Sequence, residues 1–265
     1  LIYIYRMAIT SKEAELNPKL RSDLIKTFTQ EMPNIIANYP LEEGSTILHN
    51  LPSYERWALD IQTHGEYDDY WKQRGYAMSE YYSQHADVPT LYLGGWYDSY
   101  ARNTCESFST ISSLKLSDQR LVMGPWTHGG WDLTYAGDFD FGLDAHIDYN
   151  DLRLAWFDHY IKGEYTQVAD WSPVRIFTMG GGSVSKEISG APGAISEYPG
   201  RINHGGHWRS VTKWPINETK FTPYYLHIDG VLSPDRPVKE DIIPSEFDFD
   251  PKNPVPTIGG GISAA

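Results

Sequence analysis

The chain has 265 residues, room for one large domain or two small ones, and its 40% hydrophobic content can supply a sizeable core. A formal net charge of −13 excludes the basic surface that nucleic acid requires and disfavours anionic membranes. Cys105 is the single cysteine, so no disulfide forms within the chain, and no run is long and apolar enough to span a bilayer.

The first predicted element is "NPKLRSDLIKTFTQEMPNIIANYP", residues 17–40. Asn17 suits an N-cap and Pro18 the first helical position, with Leu20, Leu24, Ile25, Phe28 and Met32 at helical spacing. "PSYERWALDIQ" and "DDYWKQRGYAMSEYYSQ" predict short helices joined by turns, so residues 1–87 read as a helical region. The character changes at Val88. "VPTLYLGG" is a short apolar run without alternation, as expected of a strand covered on both faces in a parallel sheet. A helix follows, with Cys105 beside Ala101, Phe108 and Ile111 as a small buried hydrophobe. "QRLVMG" is a second strand, ended by Gly124 and Pro125. "DYNDLRLAWFDHYIKG" is the clearest helix: Asp148 and Asp151 suit its positive end, Lys162 its negative end, and Gly163 stops it. Residues 88–163 therefore form a strand–helix–strand–helix series with parallel strands. From residue 172 to 265 the pattern turns to short strands, "PVRIFTM", "YYLHIDGVL" and "PSEFDFD", separated by Pro, Gly and Asp; this predicts a β-sandwich with its boundary between 163 and 172.

Ligands of open parallel sheets gather beyond the carboxyl ends of the strands. Asp98 lies just past one such end and His128 just past the next, in "LYLGGWYDSY" and "GPWTHGG". Neighbouring strands are about 4.8 Å apart, so the two loops can bring a carboxylate to an imidazole. A carboxylate bonded to one ring nitrogen fixes the tautomer and leaves the other as a base, two-thirds of a nucleophilic triad. Asp98 also precedes a helix, where it would serve as an N-cap. His204 and His207 in "NHGGHW" have a spacing that suits a metal but no carboxylate or thiol neighbour, so neither metal nor other cofactor is expected; no P-loop or dinucleotide fingerprint is present.

"VPTLYLGGWYDSY", "GPWTHGG", "LRLAWFDHYIKG", "PVRIFTMG" and "HWRSVTKWP" resemble, in that order, the cocaine-esterase and X-Pro dipeptidyl-peptidase family of serine hydrolases, to which α-amino acid ester hydrolases and glutaryl cephalosporin acylases are related. The resemblance implies an α/β fold. Residues 1–87 would be a helical cap region, 88–163 the C-terminal part of an α/β-hydrolase domain, and 172–265 a partial jelly roll. It implies that Asp98 and His128 are triad members and that Tyr100, two residues past the acid, lies near the acyl group. Trp126 and Trp131, flanking His128, are further pocket candidates. The implied partner is a small ester, amide or peptide. None of Ser11, Ser22, Ser45, Ser53, Ser79 and Ser83, the serines before Asp98, sits in Gly-x-Ser-x-Gly. The chain therefore reads as a fragment, lacking the nucleophile region, inactive alone and poorly soluble because its two-stranded sheet has an exposed edge. The alternatives are a non-catalytic β-sandwich that binds carbohydrate, or a hydrolase that has lost its serine. Compartment, bacterial cytoplasm or secreted, and oligomeric state stay open.

Overall fold

A computed structural model describes residues 1–180, 201–228, 230–238, 244, 246–253 and 255. The chain divides into two compact units, Leu1–Tyr81 and Tyr82–Ala265.

The first unit is helical: α1 (Ile2–Ile9), α2 (Lys12–Leu16), α3 (Pro18–Lys26), α4 (Met32–Ala37) and α5 (Pro52–Thr63). Asn17 caps α3 as expected, its Oδ1 accepting from the Leu20 N–H at 3.1 Å. The long helix predicted over 17–40 is interrupted by a π-helical turn at Thr27–Glu31. Pro33 accounts for it: proline has no N–H to donate to the preceding turn, and its ring crowds the carbonyl four residues back, so a wider turn relieves the clash. Ile4, Tyr5, Leu24 and Leu48 form the centre of this unit's core.

The second unit is built on a four-stranded sheet. β1 (Thr90–Gly95) is followed by α6 (Ala101–Leu114), β2 (Gln119–Gly124), the two-residue strands β3 (Tyr135–Ala136) and β4 (Phe139–Asp140), α7 (Tyr149–Lys162), β5 (Val174–Met179), β6 (Ile202–Asn203), β7 (Gly206–Val211), β8 (Tyr225–Leu226) and β9 (Leu232–Ser233). The main sheet runs β1-β2-β5-β7, with β1, β2 and β5 parallel and β7 antiparallel to β5. Every residue of β2 is buried, Gln119 and Arg120 included, and its apolar stretch of Leu121, Val122 and Met123 suits a strand covered on both faces. Tyr92, Phe108, Leu121, Met123, Val174 and Ile176 pack on one side of the sheet. Tyr97, Phe141 and Phe177 pack in a second cluster. Asp148 caps α7, accepting from the Asn150 and Asp151 N–H groups at 2.9 Å, and Gly163 ends the helix at φ 73°.

Two expectations need correction. The boundary placed between 163 and 172 does not exist as a break: "VRIFTM" is β5, a central strand of the same sheet. Arg175 and Thr178 give it an alternating look, yet Val174, Ile176 and Phe177 are all buried, so both of its faces are covered. The sheet accordingly has four strands rather than two. Among the described residues after 172, β5 and β7 belong to the main sheet, β6 joins the small β3-β4 sheet, β8 and β9 form a hairpin, and there is no separate sandwich. "PSEFDFD" forms no strand at its described positions, and Ser245 lies outside them. Among the described residues no helix is long and apolar enough to cross a membrane.

Candidate active site

The ends of β1 and β2 are level, Gly95 opposite Gly124. Past them the two loops stay bonded: the Trp96 N–H donates to the Gly124 carbonyl at 2.9 Å and the Tyr97 N–H to the Trp126 carbonyl at 3.0 Å. The close approach demands glycine. A Cβ on Gly95 would lie 2.0 Å from the Trp126 carbonyl oxygen, and one on Gly124 would lie 2.3 Å from the Trp126 ring. The next residues carry the site. Thr127 to Gly130 form a tight turn, closed by the Gly130 N–H donating to the Thr127 carbonyl at 3.1 Å, with Gly129 at φ 78°. That combination is a type II turn, which only glycine fills without strain, and it throws His128 outward at the second position.

Asp98 and His128 meet. His128 Nδ1 lies 3.0 Å from Asp98 Oδ2. A carboxylate oxygen can only accept, so Nδ1 carries the proton and Nε2 is left as the basic nitrogen. The other carboxylate oxygen, Oδ1, accepts the Tyr100 N–H at 2.8 Å. Asp98 is not the N-cap of α6, a place taken by Tyr100, but one of its oxygens makes the local turn before that helix while the other faces the imidazole. The carboxylate is tucked in, its side chain 10% exposed, while the His128 side chain is 50% exposed. The arrangement holds a base rigidly from behind and leaves its reactive face open.

The three aromatic candidates separate. The Tyr100 ring stands edge-on to His128, centroids 5.2 Å apart, and is exposed. Trp126 is buried at 1% exposure, so it is not a pocket wall but an anchor for the histidine loop. Its Nε1 donates to the Ala145 carbonyl at 2.7 Å and its ring packs against Trp208 at 5.7 Å. Trp131 packs on Tyr149 at 4.4 Å, at the start of α7. His204 packs between the rings of Phe139 and Phe141, and His207 lies opposite Thr178 in the β5-β7 ladder. Among the described residues no three His, Cys, Asp or Glu side chains converge as metal ligands. Burial, with help from the Glu106 charge, pushes the Cys105 thiol up to about 11, leaving little thiolate near neutral pH.

A second carboxylate–imidazole pair escaped the sequence reading. His64 Nδ1 lies 2.5 Å from Asp68 Oδ2 in the helical unit, at a spacing of four residues. Its ring stacks on Tyr70 at 4.4 Å, and its carbonyl accepts the Trp71 indole N–H at 2.7 Å. Its signal was the four-residue spacing in "HGEYD" just past the end of α5.

The sequence pattern of X-Pro dipeptidyl-peptidases (S15 family) matches residues 5–130, an interval that contains both Asp98 and His128. Cocaine esterase from Rhodococcus sp. (strain MB1 Bresler) is 26% identical over 95% of this chain and 40% of its own length. The chain is thus similar to the cocaine esterase and X-Pro dipeptidyl-peptidase family, whose pattern covers just under half of it. It spans about two-fifths of that esterase. Among solved structures, a CocE/NonD family hydrolase from Staphylococcus aureus is similar with a TM-score of 0.41 at 20% identity, over 68% of this chain and 26% of that one.

Proposed function

We propose that this chain carries the acid and base of a serine hydrolase acting on small esters, amides or peptides, in which the nucleophilic serine comes from polypeptide outside residues 1–265. The observation that carries the reading is the 3.0 Å contact between His128 Nδ1 and Asp98 Oδ2 at adjoining strand ends. Similarity to the cocaine esterase and X-Pro dipeptidyl-peptidase family supports it, as does the absence of a Gly-x-Ser-x-Gly among the serines before Asp98. In this reading residues 82–180 belong to an α/β-hydrolase sheet and the helical unit is a cap inserted ahead of the acid-bearing strand.

The chemistry is acyl transfer. His128 Nε2 takes the serine proton as the serine oxygen attacks the substrate carbonyl. The imidazolium so formed is stabilised by Asp98, which keeps its own charge. His128 then gives the proton to the leaving alcohol or amine as its bond to the acyl carbon breaks, and the acyl–serine ester remains. In the second half His128 takes a proton from water as the water oxygen attacks the acyl carbon, then returns that proton to the serine oxygen as the acyl–serine bond breaks and the acid leaves. Tyr100, exposed beside the imidazole, is placed to touch the acyl group. The test is the coding sequence preceding Leu1 followed by p-nitrophenyl ester turnover of the joined product. A strand leading into Gly-x-Ser-x-Gly, with turnover abolished by His128→Ala, supports the proposal; a frame that opens at Leu1, or an undiminished His128→Ala enzyme, sinks it.

A further inference from the structure

A cavity of about 280 Å³ opens on the sheet of the second unit, away from Asp98 and His128. Val122 of β2 and Leu152 of α7 give it an apolar floor. Arg175, projecting from β5, lines it between two indoles, with the guanidinium carbon 4.5 Å from the Trp171 ring centre and 5.5 Å from that of Trp208. Among the described residues Arg175 makes no ion pair or hydrogen bond through its side chain. Burial lowers its proton affinity below the usual guanidinium value. Five N–H donors held over indole faces without an acceptor form an unfilled carboxylate seat. The opposite charge also lines the cavity: Asp148 and Asp151, at the first turn of α7. A plain anion would be repelled by these two, and a plain cation by Arg175. A molecule carrying both charges answers both, and a flat or apolar body would lie against the indoles and the Val122–Leu152 floor.

We propose that this cavity binds a small zwitterion, a free amino acid or dipeptide with an apolar or aromatic side chain, whose carboxylate meets Arg175 and whose ammonium meets Asp148 and Asp151. The site uses neither member of the Asp98–His128 pair, and it does not depend on the hydrolase reading.

The experiment is calorimetric titration of the 265-residue chain with L-phenylalanine, with 3-phenylpropionate, which lacks the ammonium, and with phenethylamine, which lacks the carboxylate. The expected result is saturable one-to-one binding of phenylalanine with a Kd of about 1 mM or tighter. Each half-molecule binds at least about tenfold more weakly, and Arg175→Gln and Asp151→Asn each weaken phenylalanine about tenfold. Asp151 is exposed on the surface of α7, so Asp151→Asn tests the site even where Arg175→Gln perturbs folding. No detectable phenylalanine binding, binding no tighter than that of 3-phenylpropionate, or an Asp151→Asn protein that binds undiminished would each overturn the proposal.

Discussion

The two units each hold a carboxylate hydrogen-bonded to an imidazole Nδ1, and they differ in almost everything else. His64 and Asp68 are four residues apart, 2.5 Å from one another, with side chains 32% and 42% exposed. His128 and Asp98 are thirty residues apart and 3.0 Å from one another, with the histidine 50% and the aspartate 10% exposed. In the helical unit the imidazole face is covered by Tyr70 and the carboxylate is the more open partner. In the sheet unit the order is reversed: the acid is sheltered and the base faces outward. A short hydrogen bond alone does not make a catalytic pair. What matters is a shielded orienting carboxylate behind an accessible ring, placed where strand ends converge.

The largest effect that sharpens the comparison is on turnover. In the proposed serine hydrolase, His128→Ala and Asp98→Asn lower kcat by about 10⁴-fold or more, while His64→Ala leaves it near the parent value; ester hydrolysis under saturating substrate checks this. Equal losses from the two histidines would erase the distinction. Next in size is Gly95→Ala. Its Cβ would meet the Trp126 carbonyl, and the strand ends must part; the variant loses about 3 kcal/mol or more in urea unfolding. A smaller loss, about 2 kcal/mol, follows Trp126→Phe, which strands the buried Ala145 carbonyl and loosens the histidine loop. The His64 pair has an indole anchor too, Trp71 Nε1 on the His64 carbonyl at 2.7 Å, but a less buried one.

The smallest effect concerns acid stability. The hydrogen bond from His64, foremost among the causes, holds the Asp68 carboxyl below its ordinary value of 3.8. A depressed carboxyl contributes stability above its unfolded pKa and loses that contribution as pH falls through its folded one. Parent and His64→Ala should therefore differ in unfolding midpoint near neutral pH and converge in strong acid. A difference that widened on acidification would contradict the sign.

Much of this was legible in the sequence where the signal is local. The apolar runs of β1 and β2, the paired glycines after them, and the acids and Gly163 bracketing α7 each act within a few residues, so the Asp98–His128 site could be read from them. What could not be read depends on distant partners. β5 looks like the first strand of a new domain until Leu121 is seen pairing with Val174. Trp126 looks like a pocket residue until Ala145 and Trp208 close over it. Arg175 is an ordinary strand arginine until Trp171 and Trp208 flank it.

The orientation of His128 is the claim on which the functional account stands, and nitrogen-15 NMR of the imidazoles tests it directly. The account predicts an assigned His128 Nδ1–H proton, shifted downfield by its carboxylate partner, that vanishes in Asp98→Ala and persists in His64→Ala. A His128 ring protonated instead at Nε2, or a spectrum unchanged by Asp98→Ala, would contradict it.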